Sequence, residues 1–359
     1  MDPEELLDHG STLPYLASEH VALINSIRPT FGQLNADGLF PTDGLDTPFV
    51  RIDMVNGVIR ALPVTPEGRP STIAGRQTSE GRIVEIPNVS HEDSVLAGDI
   101  RKWLALARRS RHPEETLVNQ VETRHRRNRL KFEITQEVMK ISALKGRIVD
   151  GAGELLYDLY DLFGLQERVV YFDLADPNTD VPGKIEEVIG STEDALVDEV
   201  MDGVEVRVGP DFYNALIRHP SVEKYYQGTP AMLAQLLNQQ REKVNGHFRR
   251  TIEIAGLVFK EYRPKVTLWG SEVPVRLVAA GEGHAYPTGT LDTHATYAAP
   301  PLDIRVLDEG GSGDVDDLIH MTMEPKKHGE GEEWKYQMNA LPIWKRPALL
   351  TRLSAAEGP

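Results

Sequence analysis

The sequence has no cysteine, which excludes disulfides, thiolate metal sites and a cysteine nucleophile. No apolar run approaches the length of a membrane span, and the amino terminus lacks the basic-then-apolar pattern of a secretory leader. The expectation is therefore a soluble protein made in the cytosol. Lysine is missing from residues 1–101, the first being Lys102. Aromatic residues are only 7% of the 359, so a core must come chiefly from aliphatic side chains.

The motifs of common catalysis are missing too. There is no phosphate-binding G-x-x-x-x-G-K-[ST] loop. Gly151-Ala152-Gly153 lacks the third glycine of a dinucleotide fingerprint, and Gly310-Gly311-Ser312-Gly313 misses the G-x-S-x-G elbow and reads as a turn. No H-E-x-x-H occurs. Three looser groupings remain. His284, Asp292 and His294 could approach a divalent metal, but read better as loop histidines. Asp314, Asp316 and Asp317 lack the glycine and distal glutamate of a calcium loop. Glu186, Glu187, Glu193 and Asp194 fit a solvated helix face better than paired acid–base carboxylates. The expectation is no catalytic residue, no cofactor and no metal. A hydrolase using residues 166–300 is the distant alternative.

What is present is acidic and unevenly charged. The net charge of −16 argues against a general nucleic-acid binder. Residues 1–50 hold eight acids and one Arg, and residues 150–211 hold seventeen acids and three bases. Between them, residues 101–131 hold ten Lys/Arg against three acids. This block either pairs with acidic surfaces of neighbouring copies or faces a polyanion. No aromatic residue interleaves Arg124, Arg126, Arg127 and Arg129, which argues against a single-strand stacking groove.

Along the chain, residues 1–48 are broken by five prolines and read as an arm with a short helix near Ser18–Ile27. Residues 49–64 read as strands around Asn56-Gly57, and residues 82–90 return to strand alternation. The stretch 49–98 thus predicts a long two-stranded excursion. It has no evident core of its own and needs something else to lie on. Pro113 opens a helix that nothing interrupts before Gly146, about 33 residues or roughly 50 Å. Its middle, Glu122–Arg129, has no apolar residue, which predicts that it is solvated or faces a partner. A strand pair follows around Gly151-Ala152-Gly153. Then comes an α/β stretch: strands at Val169–Leu174, Glu205–Val208, Thr251–Tyr262 and Val273–Ala279, and helices at Pro182–Met201 (interrupted near Gly190-Ser191), Pro210–Ile217 and Pro230 to about Lys243. Strands at Leu318–Met323, Trp334–Ala340 and within Ile343–Leu353 close the chain.

The order of these parts resembles the tailed-phage major capsid fold of the HK-ninety-seven type, and the chain resembles the major capsid protein family of lambda-like phages. Arg124–Leu159 carries the Arg-rich helix ending in Ala143-Leu144-Lys145-Gly146 before a strand pair. Val204–Tyr226 carries a strand, a Gly-Pro turn and two helices. Glu332–Leu353 carries an aromatic-rich strand, an apolar-Pro segment and a last strand. The resemblance implies an α+β fold with an N-terminal arm (1–48), an extended hairpin (49–98), a peripheral domain with a long spine helix (99–165), an α/β axial domain (166–300) and closing peripheral strands (301–359). It implies a structural protein of the virion, made in the host bacterial cytoplasm. Its copies would form hexamers and pentamers of an icosahedral shell around double-stranded DNA, bound without sequence specificity. Inter-subunit contacts are expected from Arg69, Ser71, Ile73 and Arg76 on the hairpin and from Arg124, Arg126, Arg127 and Arg129, whose charge acidic neighbours would neutralise. Changing Arg124, Arg126 and Arg127 to Ser is then expected to impair assembly. Expected partners are a portal protein, a decoration protein and a separate scaffolding protein, since residues 1–48 read as too short and proline-broken to scaffold. With no lysine in the hairpin, the Lys–Asn weld of some shells of this fold is not open to it. An encapsulin-like compartment or a phage tail component is the alternative within structural proteins.

Overall fold

The longest predicted element organises the fold. In the computed structural model, which describes residues 17–54, 80–197, 200–227, 241–291, 293–301 and 318–358, helix Pro113–Leu144 runs for 32 residues, about 48 Å at 1.5 Å per residue. Pro113 supplies its first residue, where a missing N–H costs nothing. Beyond Glu137 the spine is buried on every side, because it passes between the two larger sheets of the molecule.

One sheet is built on the 14-residue strand Gly331–Trp344. Its first part pairs antiparallel with Asn88–Leu96 on one edge and His320–Pro325 on the other; its second part pairs with His294–Ala298, which in turn takes Thr42–Gly44 in parallel. The other sheet has seven strands, in the order Arg168–Tyr171, Thr351–Ser354, Glu282–Thr288, Gly203–Val208, Leu257–Glu261, His247–Ile254, Arg241–Val244. Helices Val181–Leu196, Pro210–Ile217 and Pro220–Gln227 pack on it around Phe172, Phe212, Tyr213 and Phe259. A separate core gathers helix Ala17–Ser26, helix Ala97–Ala107 and the first half of the spine around Trp103, Trp334 and Tyr336.

Several expectations change. The last strand, Thr351–Ser354, lies in the seven-stranded sheet and not with the other closing strands, because it pairs in parallel with Arg168–Tyr171. Conversely, His294–Ala298 joins the sheet of the long strand. Thr251–Tyr262 is two strands joined at Ala255-Gly256, both at positive φ. Lys243 belongs to a strand and not to a helix end: Arg241–Val244 turns at Asn245-Gly246 into His247–Ile254. Asn245 and Gly246 have φ of 41° and 79°, as a type I′ hairpin demands. Helix Val181–Leu196 runs unbroken through Gly190-Ser191, since Val188 and Thr192 keep its buried face continuous.

The excursion also differs. Phe49–Met54 pairs antiparallel with Glu80–Glu85 in a two-stranded ribbon. Strand Asn88–Leu96, expected to belong to the excursion, lies in the sheet of the long strand. The base of the ribbon is not coreless: Val50, Ile52, Val84 and Ile86 are buried in the chain's own core beside the C-terminal half of the spine. Asn56-Gly57 and Arg69, Ser71, Ile73 and Arg76 fall outside the described residues.

Candidate functional site

The spine's basic middle is more internal than its composition implies. Leu117, Val121, His125, Asn128 and Phe132, spaced three or four apart, form one buried stripe. His125 and Asn128 continue the apolar stripe because the sheet offers each a partner. The His125 ring stacks on Trp334 at 5.2 Å between centroids and its Nδ1 lies 3.1 Å from the Tyr336 hydroxyl. Its Nε2 lies 2.7 Å from Nδ1 of His20, on helix Ala17–Ser26. Burial, reinforced by His20, pushes the His125 pKa down to about 3. Asn128 donates to Asp93 at 2.8 Å.

The four arginines divide. Arg124 makes a bidentate pair with Asp93 (2.7 and 2.6 Å), donates to the Ser94 carbonyl, and lies 6.0 Å from the Trp103 and Trp334 ring centres. Burial opposes the Asp93 charge, but Arg124 and Asn128 outweigh it and hold the carboxyl below its ordinary value. Arg129 donates to Glu133 at 3.1 Å and to the Ile24 carbonyl. These two therefore find acids and acceptors within their own chain. Among the described residues Arg126, 58% exposed, pairs with Glu122 one turn back, and Arg127 is exposed. A variant lacking Arg124 as well as Arg126 and Arg127 would thus mix a folding defect with an assembly defect.

The next turns of the spine hold the arm. Glu133 accepts hydrogen bonds from the Thr30 and Phe31 backbone amides at 2.9 and 3.1 Å. One turn on, the buried Glu137 accepts from the Leu34 and Asn35 amides at 3.0 Å each and from the Tyr262 hydroxyl at 3.0 Å. Gly32, at φ 94°, is needed between them because a Cβ there would collide with the Glu137 carboxylate. The far side of this strap meets the seven-stranded sheet. Asp37 accepts from Arg207 at 2.6 Å and from Arg249 at 2.7 Å. Burial opposes the Asp37 charge, and the two guanidiniums overcome it and hold its pKa low. Residues 30–37 thus join spine to sheet through hydrogen-bonded buried charges. No motif announces this network, because each partner lies about a hundred residues or more away in sequence.

The remaining candidates have structural surroundings. His284 is buried between Val208–Gly203 and Ser354–Thr351 in the seven-stranded sheet, and burial pushes its pKa down to about 3, with Lys145 and Arg352 adding to it. His294 stacks on Trp344 at 4.5 Å, in the other sheet. Asp292, Asp314, Asp316 and Asp317 fall outside the described residues. Glu186, Glu187, Glu193 and Asp194 lie exposed on helix Val181–Leu196. Among the described residues no group of three or more His, Asp or Glu is placed to hold a metal ion, and no helix is long and apolar enough to cross a membrane.

A two-stranded ribbon, a spine packed against two sheets and an arm strapped across it form a structural framework. The family of the Phage major capsid protein E matches residues 20–355, and the chain belongs to that family. It is 30% identical over 242 residues to the major capsid protein of Salmonella phage Felix O1, a match covering 63% of this chain and 66% of that one. It is 25% identical over 334 residues to the major capsid protein of Pseudomonas phage KPP10, covering 89% of this chain and 91% of that one. The crystal structure of a prophage capsid protein from E. coli CFT073 superposes with a TM-score of 0.59 at 11% identity, over 95% of this chain and 99% of that one. The fold is thus the HK-ninety-seven type. The chain is a head-shell protein of the virion and not an enzyme, and its copies assemble into a multimeric shell.

Proposed function

We propose that this chain closes an icosahedral shell around double-stranded DNA, with the ribbon of each copy lying on its neighbour. The observation that carries this reading is the two-faced ribbon. Val50 and Val84, paired in register, turn inward and are buried. Phe49 and Ile83, on the outward side, are 53% and 74% exposed. A two-stranded ribbon with large apolar residues in water on its outer face is an unfinished interface. Inter-subunit contact through Arg69, Ser71, Ile73 and Arg76, which lie between its two strands in sequence, and through Arg126 and Arg127 belongs to the same reading.

Beyond the shell itself, a portal protein and a separate scaffolding protein complete assembly. The second is favoured because residues 30–37, within the stretch that would otherwise serve as a scaffold, are fixed to the spine by Glu133 and Glu137. Reinforcement comes from a decoration protein or tight packing, since residues 49–86 contain no lysine for a covalent weld. The test is particle composition: shells isolated from infected cells should contain this chain and nuclease-protected double-stranded DNA. Particles filled with a cargo enzyme in place of DNA would favour a storage compartment and overturn the DNA assignment.

A further inference from the structure

The structure leaves unneutralised charge on Arg127 and, before it, on the helical hairpin that leads into the spine. Residues 100–112 contain five Lys/Arg and no acid. Helix Ala97–Ala107 buries Ile100, Trp103 and Ala107 against the spine and turns Arg101, Lys102 and Leu106 outward. Arg109 and Arg111 follow in the exposed connection to the spine. Lys102 has Asp99 at 3.6 Å. Arg101, Arg109, Arg111 and Arg127 make no ion pair with any acid among the described residues. Leu106, 50% exposed, sits among them.

We infer that this basic face docks, head to tail, on the acidic α/β face of a second copy of this chain, around Glu186 and Glu187 of helix Val181–Leu196. The inference rests on the shell-forming reading and names one contact within it. Helix Val181–Leu196 exposes Glu186, Glu187, Glu193 and Asp194, and its one base, Lys184, lies 2.9 Å from Glu187. Opposite charge therefore sits on two separate faces of one chain. A contact between different faces is heterologous and repeats around a ring, which suits a capsomer. The exposed leucine decides against DNA as the occupant: phosphate contact gains nothing from an apolar side chain, whereas a protein surface can bury it. Facing charges also fix the register of approach and disfavour wrong pairings.

The test is a charge swap. Arg109→Glu with Arg111→Glu should leave the urea midpoint of the unassembled chain unchanged, since both side chains are exposed, but should cut the yield of closed particles about tenfold or more, as like charges then face each other. Adding Glu186→Lys and Glu187→Lys to that variant should restore the yield. Normal particles from the double reversal would overturn the proposal, as would a failure of the fourfold variant to recover. Normal particles that retain less DNA would overturn it in favour of a face turned to the packaged duplex. If the unmodified chain forms no particles at all, the shell reading fails and not merely this contact.

Discussion

At pH 5 the unassembled chain should be about 4 kcal/mol less stable to urea than at pH 7. Two buried histidines set this expectation. His125 and His284 are each held at a pKa of about 3 in the folded chain, in both cases mainly by burial. In the unfolded chain each titrates near the ordinary histidine value of 6.5. Between those values the unfolded state takes up protons that the native state refuses, so stability falls as pH falls, by at most about 1.4 kcal/mol per pH unit for each group. The depressed carboxyls Asp37 and Asp93 add a loss only at lower pH, below the ordinary carboxylate value of 3.8. Burial raises Glu137, which acts in the opposite sense and gains as pH falls. Urea midpoints at both pH values check the sum. His284→Leu separates the contributions: it should remove about half of the acid sensitivity, because one of two equivalent protonations is lost. An unchanged pH dependence in that variant would assign the effect elsewhere.

Asp37→Ala should cost about 3–5 kcal/mol, the range for breaking a buried ion pair by removing one partner. Arg207 is 1% exposed and its guanidinium is divided among Asp37, Tyr286 and Gln33. Among the described residues Arg249, 8% exposed, retains Glu242 as its acid when Asp37 is gone. Neither cation can turn to water, and the strap that joins spine to sheet loses its anchor. Arg124→Ser provides the contrast. Its partner Asp93 is 21% exposed and keeps Asn128, so the loss should be about 1.5–3 kcal/mol, that of a hydrogen bond to a charged group. Chemical denaturation of the two variants should rank them in this order. Equal losses would mean that the strap contributes no more than the half-buried Arg124–Asp93 pair.

How much of this was legible depended on whether the signal was local. The spine could be read to within a residue or two because Pro113 and Gly146 bracket it. Pro210 marked its helix for the same reason. The Asn245-Gly246 hairpin carries an equally local signal in its dipeptide, which competes with the helix-opening signal of Pro230. Non-local information was hidden. Nothing around His125 says that Trp334 will stack on it, so a buried stripe looked like a solvated run. Glu133 and Glu137 look like ordinary helix-face acids until residues 30–35 are laid across them. The ribbon's base looked coreless because most of its core comes from the spine and the long strand, about fifty residues or more further on.

The central claim is that the ribbon is finished only by another copy. Replacing residues 55–79 with a short Gly-Ser turn and examining the purified protein by sedimentation and negative-stain microscopy tests it most directly. The account predicts a folded chain with a near-normal urea midpoint that stays small, while the full-length chain closes into megadalton shells. Intact shells from the shortened chain would contradict it.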